Sequence, residues 1–140
     1  MYESLSAYIL GIALAVITCF PARTLAPRTE QRFFSVIMIF VAVGFFGFPL
    51  ERGDMLGTLS ELLAMAFFLA GVVASALWNP LFLPLTFLAH GAWDLAYLAG
   101  ASHSVKPDWL VELCVPYDWL VAGYLFTRVG TWRSAPRRRV

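Results

Sequence analysis

The chain has 140 residues, 60% of them hydrophobic and only 14% charged, with a mean hydropathy of +0.73. A water-soluble domain of this length has too little interior to hide so much apolar surface, so a membrane protein is expected and a soluble one excluded. The net charge is +1, which conceals a strong asymmetry between the two sides of the chain, and no nucleic-acid partner is expected.

Apolar blocks of spanning length recur five times, at about 5–20, 31–49, 58–78, 80–99 and 109–127, which predicts an all-α bundle of five transmembrane helices in one domain. The first block stops at Pro21. Its flanking Arg23, Arg28 and Arg32 follow the apolar stretch instead of preceding it, so it is read as a retained helix and not a cleaved signal. Thr29-Glu30 predicts the start of the second helix, with an acid in its first turn. That helix ends near Gly47-Phe48-Pro49, followed by a loop with Glu51. Thr58-Leu59-Ser60-Glu61 has the form of a capping box opening the third helix. Asn79-Pro80 combines a stop with a start, Asn79 as cap and Pro80 as first helical residue. The fourth helix closes at Gly100. Asp108 is the expected cap of the fifth, which carries a kinking Pro116. Cys19 and Cys114 fall at different depths, so two free thiols are expected.

Charge sets the orientation. Arg23, Arg28, Arg32, Arg128, Arg133, Arg137, Arg138 and Arg139 fall on one side, eight against only Arg52 and Lys106 on the other. The basic side faces the cytoplasm, which puts the amino terminus outside and the carboxyl terminus inside, in a multi-pass cell-membrane protein and most simply a bacterial inner membrane.

With that topology Glu51, Glu61, His90, Asp94, Glu112 and Asp118 all fall in the outer half, and the inner half is expected to hold no comparable set. Ionisable groups cost about 2.5–3.5 kcal/mol each at membrane depth and face protein or trapped water. His90 and Asp94, four residues apart, share a helix face with Tyr97 a turn beyond. A polar cavity opening outward is expected, with His90, Asp94, Asp118 and Glu112 as acid/base groups and Trp93, Tyr97, Tyr117, Glu51 and Glu61 around a ligand. Two ridges of small residues, Ala92-Ala96-Ala99 and Gly71-Ser75, are expected to bring the helices close. Plainer roles compete: Glu61 as a capping partner, Glu51, Asp108 and His103 as solvated loop groups, Trp109 as an interfacial anchor, and His90 with Asp94 as a structural hydrogen bond.

His90-Gly91-Ala92-Trp93-Asp94 followed by Cys114-Val115-Pro116-Tyr117-Asp118 resembles a family of small bacterial integral membrane proteins of unassigned function. That family carries His-x-x-Trp-Asp in its penultimate span and Cys-x-x-x-Asp in its last. Pro21-Ala22-Arg23, Pro27-Arg28 and Glu51 are similar to its other features. The family often has histidines after the aspartate, where this chain has Leu95-Ala96-Tyr97, a departure that weighs against a metal site. The resemblance implies a site at these motifs and implies no activity.

The function expected from the residues is an intramembrane acid/base enzyme of isomerase, cyclase or epoxide-opening type, acting on a small lipophilic substrate without metal or cofactor. Asp94 or Asp118 is the expected proton donor, because an apolar pocket disfavours charge. His90 is the partner base, oriented by Asp94. Trp93, Tyr97 and Tyr117 can stabilise a developing cation. The alternative is a non-catalytic subunit holding a lipid, pigment or quinone, as a homodimer or within a larger membrane complex. Transport and binding of a divalent ion rank below both.

Overall fold

The computed structural model describes residues 2–101 and 106–135, with side chains from residue 5 onward. His103 and the Arg137-Arg138-Arg139 run lie outside the described residues. Among the described residues five helices follow in order: α1 (Tyr2–Ala22), α2 (Pro27–Glu51), α3 (Met55–Leu77), α4 (Phe82–Leu98) and α5 (Asp108–Ser134). Among the described residues there is no strand.

The helix starts differ from the sequence expectation for identifiable reasons. Proline fits the first helical position because its missing N–H is unbonded there anyway, so α2 begins at Pro27, ahead of the Thr29-Glu30 start. The α3 cap is Asp54, whose side chain accepts from the Gly57 backbone N–H at 3.1 Å, while the Thr58 hydroxyl donates back to the Asp54 carbonyl. The Thr58–Glu61 box therefore lies inside the helix and caps nothing, which frees Glu61 for another role. Asn79 Oδ1 accepts from Leu81 N–H at 3.0 Å, forming a turn before α4 and not its cap. Gly100 has φ +74° and closes α4 as expected. Asp108 is the first residue of α5, with Pro107 in the cap position.

Helix α5 is the axis of the bundle, packing along α4 on one side and α1 on the other, while α3 joins α4 to α2. Phe34, Met38, Leu83, Phe87, Val121 and Leu125 fill the centre. Helix α1 comes close to α5 because residue 11 is glycine. A Cβ there would run into the Leu113 carbonyl oxygen and the Pro116 ring. The Gly71-Ser75 ridge does lie at an interface, against Thr86 of α4. The Ala92-Ala96-Ala99 ridge does not: Ala92 and Ala99 are exposed. The packed face of α4 carries instead Leu83, Phe87, His90, Gly91 and Asp94.

The outer surface is as apolar as the interior. Ile9, Val16, Ile17, Phe20, Phe40, Leu63 and Phe67 are all exposed, an arrangement suited to hydrocarbon and not to water. Four helices, α1, α2, α3 and α5, are long and apolar enough to cross a membrane; α4 has 17 residues. The chain is thus a helical bundle with the character of a membrane protein.

Candidate functional site

A single imidazole sits where the packed faces of α4 and α5 meet. His90 Nδ1 lies 2.6 Å from Asp118 Oδ2 and 3.6 Å from Asp94 Oδ2. The sequence reading made Asp94 the group that orients His90, but the close partner is Asp118. Both helices carry their acids here by spacing: Asp94 follows His90 by one turn, and Cys114 precedes Asp118 by one turn. Gly91 permits the approach, since a Cβ there would come within 2.6 Å of the Trp119 ring. Phe45 of α2 and Phe68 of α3 flank the imidazole, at ring-centroid distances of 5.5 Å and 4.9 Å.

The group that completes this cluster was not expected to join it. Lys106, counted in the sequence as a loop charge, has its side chain fully buried. Its Nζ lies 3.2 Å from Asp94 Oδ1 and 3.0 Å from Glu61 Oε1, and 4.6 Å above the Phe45 ring. Tyr97 fixes the backbone around it, donating its hydroxyl to the Lys106 carbonyl at 2.8 Å while accepting from the Lys106 N–H at 3.3 Å. Trp93 Nε1 donates to Glu61 Oε1 at 3.4 Å.

Of the expected site residues, the fold brings His90, Asp94, Asp118, Glu61, Trp93 and Tyr97 into one network. Tyr117, on α5 beside Asp118, turns to a neighbouring groove. Glu51 is exposed at the end of α2, and Glu112 is half-buried with no ion pair or hydrogen bond among the described residues. The outward-opening cavity is closed here: His90, Asp94, Asp118 and Lys106 side chains are at most 2% exposed.

Charge is unevenly balanced in this dry interior. Among the described residues Glu61, Asp94 and Asp118 contribute three carboxyl groups against one ammonium, with the imidazole between two of them. Asp94 Oδ2 and Asp118 Oδ1 are buried and accept no hydrogen bond among the described residues. Unpaired buried acceptors are rare because they lose hydration without replacement. His90, Asp94 and Asp118 each offer a ligand atom within 4.8 Å of the others, so a divalent ion has a donor set. Lys106 already brings a cation to Asp94, which is the charge such an ion would supply.

Next to the network runs an apolar groove of about 520 Å³, open between α1 and α2 and floored by α5. Phe45, Cys114 and Tyr117 belong to its wall, and Phe45 is also the ring against His90. Phe45 thus borders both the imidazole and the groove. Cys19 and Cys114 are free thiols, as expected.

A second polar cluster contradicts the expectation of a bland inner half. Glu30, read as a first-turn acid, is fully buried. It accepts from the Tyr124 hydroxyl, from Arg128 Nε at 3.0 Å and from Trp132 Nε1 at 2.8 Å. Tyr124, Arg128 and Trp132 recur every four residues on one face of α5, which is the signal the sequence offered. This cluster lies where α2 begins and α5 ends, at the opposite end of the bundle from Glu51 and Glu61.

Comparison with known family models, with curated proteins and with solved structures finds no match to this chain.

Proposed function

We propose that the chain is a five-span membrane protein, amino terminus outside and carboxyl terminus cytoplasmic, set in a cell membrane of the bacterial inner-membrane kind. On this reading α4 is the fifth span, lengthened by the turn that Asn79 begins. It works as an intramembrane acid/base enzyme on a small lipophilic substrate, by isomerisation, cyclisation or epoxide opening. The observation that carries this is the contact of a buried proton-binding network with an apolar groove through one ring, Phe45.

The network can take up a proton without opening to water. Asp118 holds His90 through Nδ1; a proton given by the imidazole to one carbon of the substrate is balanced by the proton lost from a neighbouring carbon, which passes back into the network, where Asp94 Oδ2 and Asp118 Oδ1 are the two vacant acceptors. Lys106 keeps the local charge from building up as the proton leaves. The groove suits a hydrocarbon skeleton, with Tyr117 and Phe45 presenting ring faces to any positive charge formed on it, worth about 0.5–2 kcal/mol each. Rotation of Phe45 connects the two compartments. The motifs that carry the family resemblance supply His90, Asp94, Cys114 and Asp118 to this one place.

One observation favours a second reading. The network is sealed and its charges are tied across α3, α4 and the connection ahead of α5, as a structural lock would be. The groove would then hold a lipid, pigment or quinone without converting it, alone, as a homodimer or in a larger membrane complex.

The test separates holding from conversion. Gly44 lines the groove, and a Cβ on it meets nothing within 4 Å, so Gly44→Phe fills the groove without crowding the core. Apolar molecules that co-purify with the chain are identified by mass spectrometry. A molecule bound by wild type and Asp118→Asn but lost from Gly44→Phe is expected. Conversion by wild type and not by Asp118→Asn supports the enzyme; retention without conversion in both supports the holder. Equal retention by Gly44→Phe removes the groove from either reading.

A further inference from the structure

The end of the bundle where α2 begins holds a second concavity, distinct from the groove and from the His90 network. The first turns of α2 and the last turns of α3 and α5 enclose about 620 Å³ there. Arg28, Arg32 and Arg133 line it, and among the described residues no Asp or Glu does. The acid nearest in sequence, Glu30, is consumed by Tyr124, Arg128 and Trp132 and neutralises none of the three.

The arginines are incompletely paired. Among the described residues Arg28 Nε is buried with no hydrogen-bond partner, and its Nη2 makes a long 3.4 Å bond to the Ala135 carbonyl. Arg32 is exposed and makes no ion pair or hydrogen bond among the described residues. Arg133 is steadied by Asn79 Oδ1 at 2.9 Å. Three guanidinium groups gathered at one hollow repel one another, and a buried donor left unsatisfied is costly. An anion relieves both. The positive end of α2, opened by Pro27, adds to the same field.

We infer that this cavity binds a phosphate-bearing anion. Guanidinium forks match phosphate oxygens two at a time, and three forks around one hollow suit a group with several acceptor oxygens better than a single carboxylate. The cavity is wide enough to admit an ester substituent beside the phosphate. Two sources present this chemistry, the headgroup of an anionic phospholipid and a soluble phosphoester. The inference stands whether or not the His90 network is catalytic.

The full chain in neutral-detergent micelles is titrated with phosphatidylglycerol, phosphatidylcholine, glycerol phosphate and inorganic phosphate, following tryptophan emission, since Trp78 and Trp132 line the cavity. Saturable binding of phosphatidylglycerol or of a free phosphate is expected. Arg28→Gln and Arg32→Gln should each weaken it about tenfold, the loss of one charge-assisted contact. Arg32 is exposed, so its substitution leaves the fold intact. Arg23→Gln, an exposed arginine outside the cavity, should change binding less than about twofold. Saturation by glycerol phosphate in competition with the lipid assigns a soluble phosphoester; saturation by phosphatidylglycerol alone assigns the headgroup; either upholds the site. An equal response to phosphatidylcholine, a titration that never saturates, or a loss in Arg23→Gln matching that in Arg32→Gln overturns it.

Discussion

Replacing Lys106 by methionine probes the charge balance of the interior most sharply. The methionine keeps an unbranched stem beside the Phe45 and Tyr97 rings and removes only the ammonium. At 3.0 Å from Glu61 and 3.2 Å from Asp94, each pairing has a gross attraction of about 5 kcal/mol at an effective dielectric of about 20. Desolvation offsets much of that in the intact protein. Removing one partner leaves the desolvation in place, which costs about 3–5 kcal/mol for a single buried pair. Lys106 serves two carboxylates at once, so Lys106→Met should fall at the upper end. Glu61→Gln alone should cost about 1–2 kcal/mol, because the ammonium keeps Asp94. The double variant removes a charge together with its partner and should be more stable than the sum of the singles by about 2 kcal/mol. Stability is read from SDS titrations in mixed micelles, followed by far-UV circular dichroism. A Lys106→Met chain within about 1 kcal/mol of wild type, or strict additivity in the double variant, would show that the ammonium does not hold Glu61 and Asp94 in place.

Further outcomes are expected from other sites. Gly11→Ala sets a methyl group against the Leu113 backbone carbonyl, which cannot swing aside, so α1 should separate from α5 at about 1–3 kcal/mol; cysteine cross-linking between the two helices reads the separation. Glu30→Gln leaves the Arg128 guanidinium without its carboxylate and should destabilise by about 2–4 kcal/mol in the same SDS titration, less than a fully buried pair because Arg128 is partly exposed. Glu51→Gln and Glu112→Gln touch neither cluster. Each should stay within about 0.5 kcal/mol of wild type and leave retention of any groove-bound molecule unchanged in the co-purification assay.

Depth along a helix was readable from the sequence, and rotation about its axis was read less well. The apolar blocks marked each helix to within a few residues at most ends. The convergence of His90, Asp94 and Asp118 followed from i,i+4 spacing together with antiparallel neighbours. Glu112 lies at the right depth but six residues before Asp118, about 120° away around the helix, so it misses the network that Asp118 enters. Glu61 satisfied the spacing of a capping box, yet Asp54 and Gly57 had already made the cap, and only tertiary contact reveals its pairing with Lys106. Lys106 itself sits in a connection, where a lysine ordinarily meets water. Its burial depends on Tyr97 reaching back to hold its backbone, which no local pattern encodes. Glu30 was hidden in the same way, a plausible first-turn acid whose Tyr124, Arg128 and Trp132 partners come from the far end of the chain.

Isotope transfer reads whether the sealed network delivers a proton to a molecule in the groove. The purified chain is incubated in D2O with the apolar molecule that co-purifies with it, and carbon-bound deuterium is measured by mass spectrometry. Wild type is expected to yield a rearranged molecule bearing deuterium, while Asp118→Asn binds the same molecule and returns it unlabelled. A wild-type sample that returns its molecule unchanged and free of deuterium would contradict that delivery.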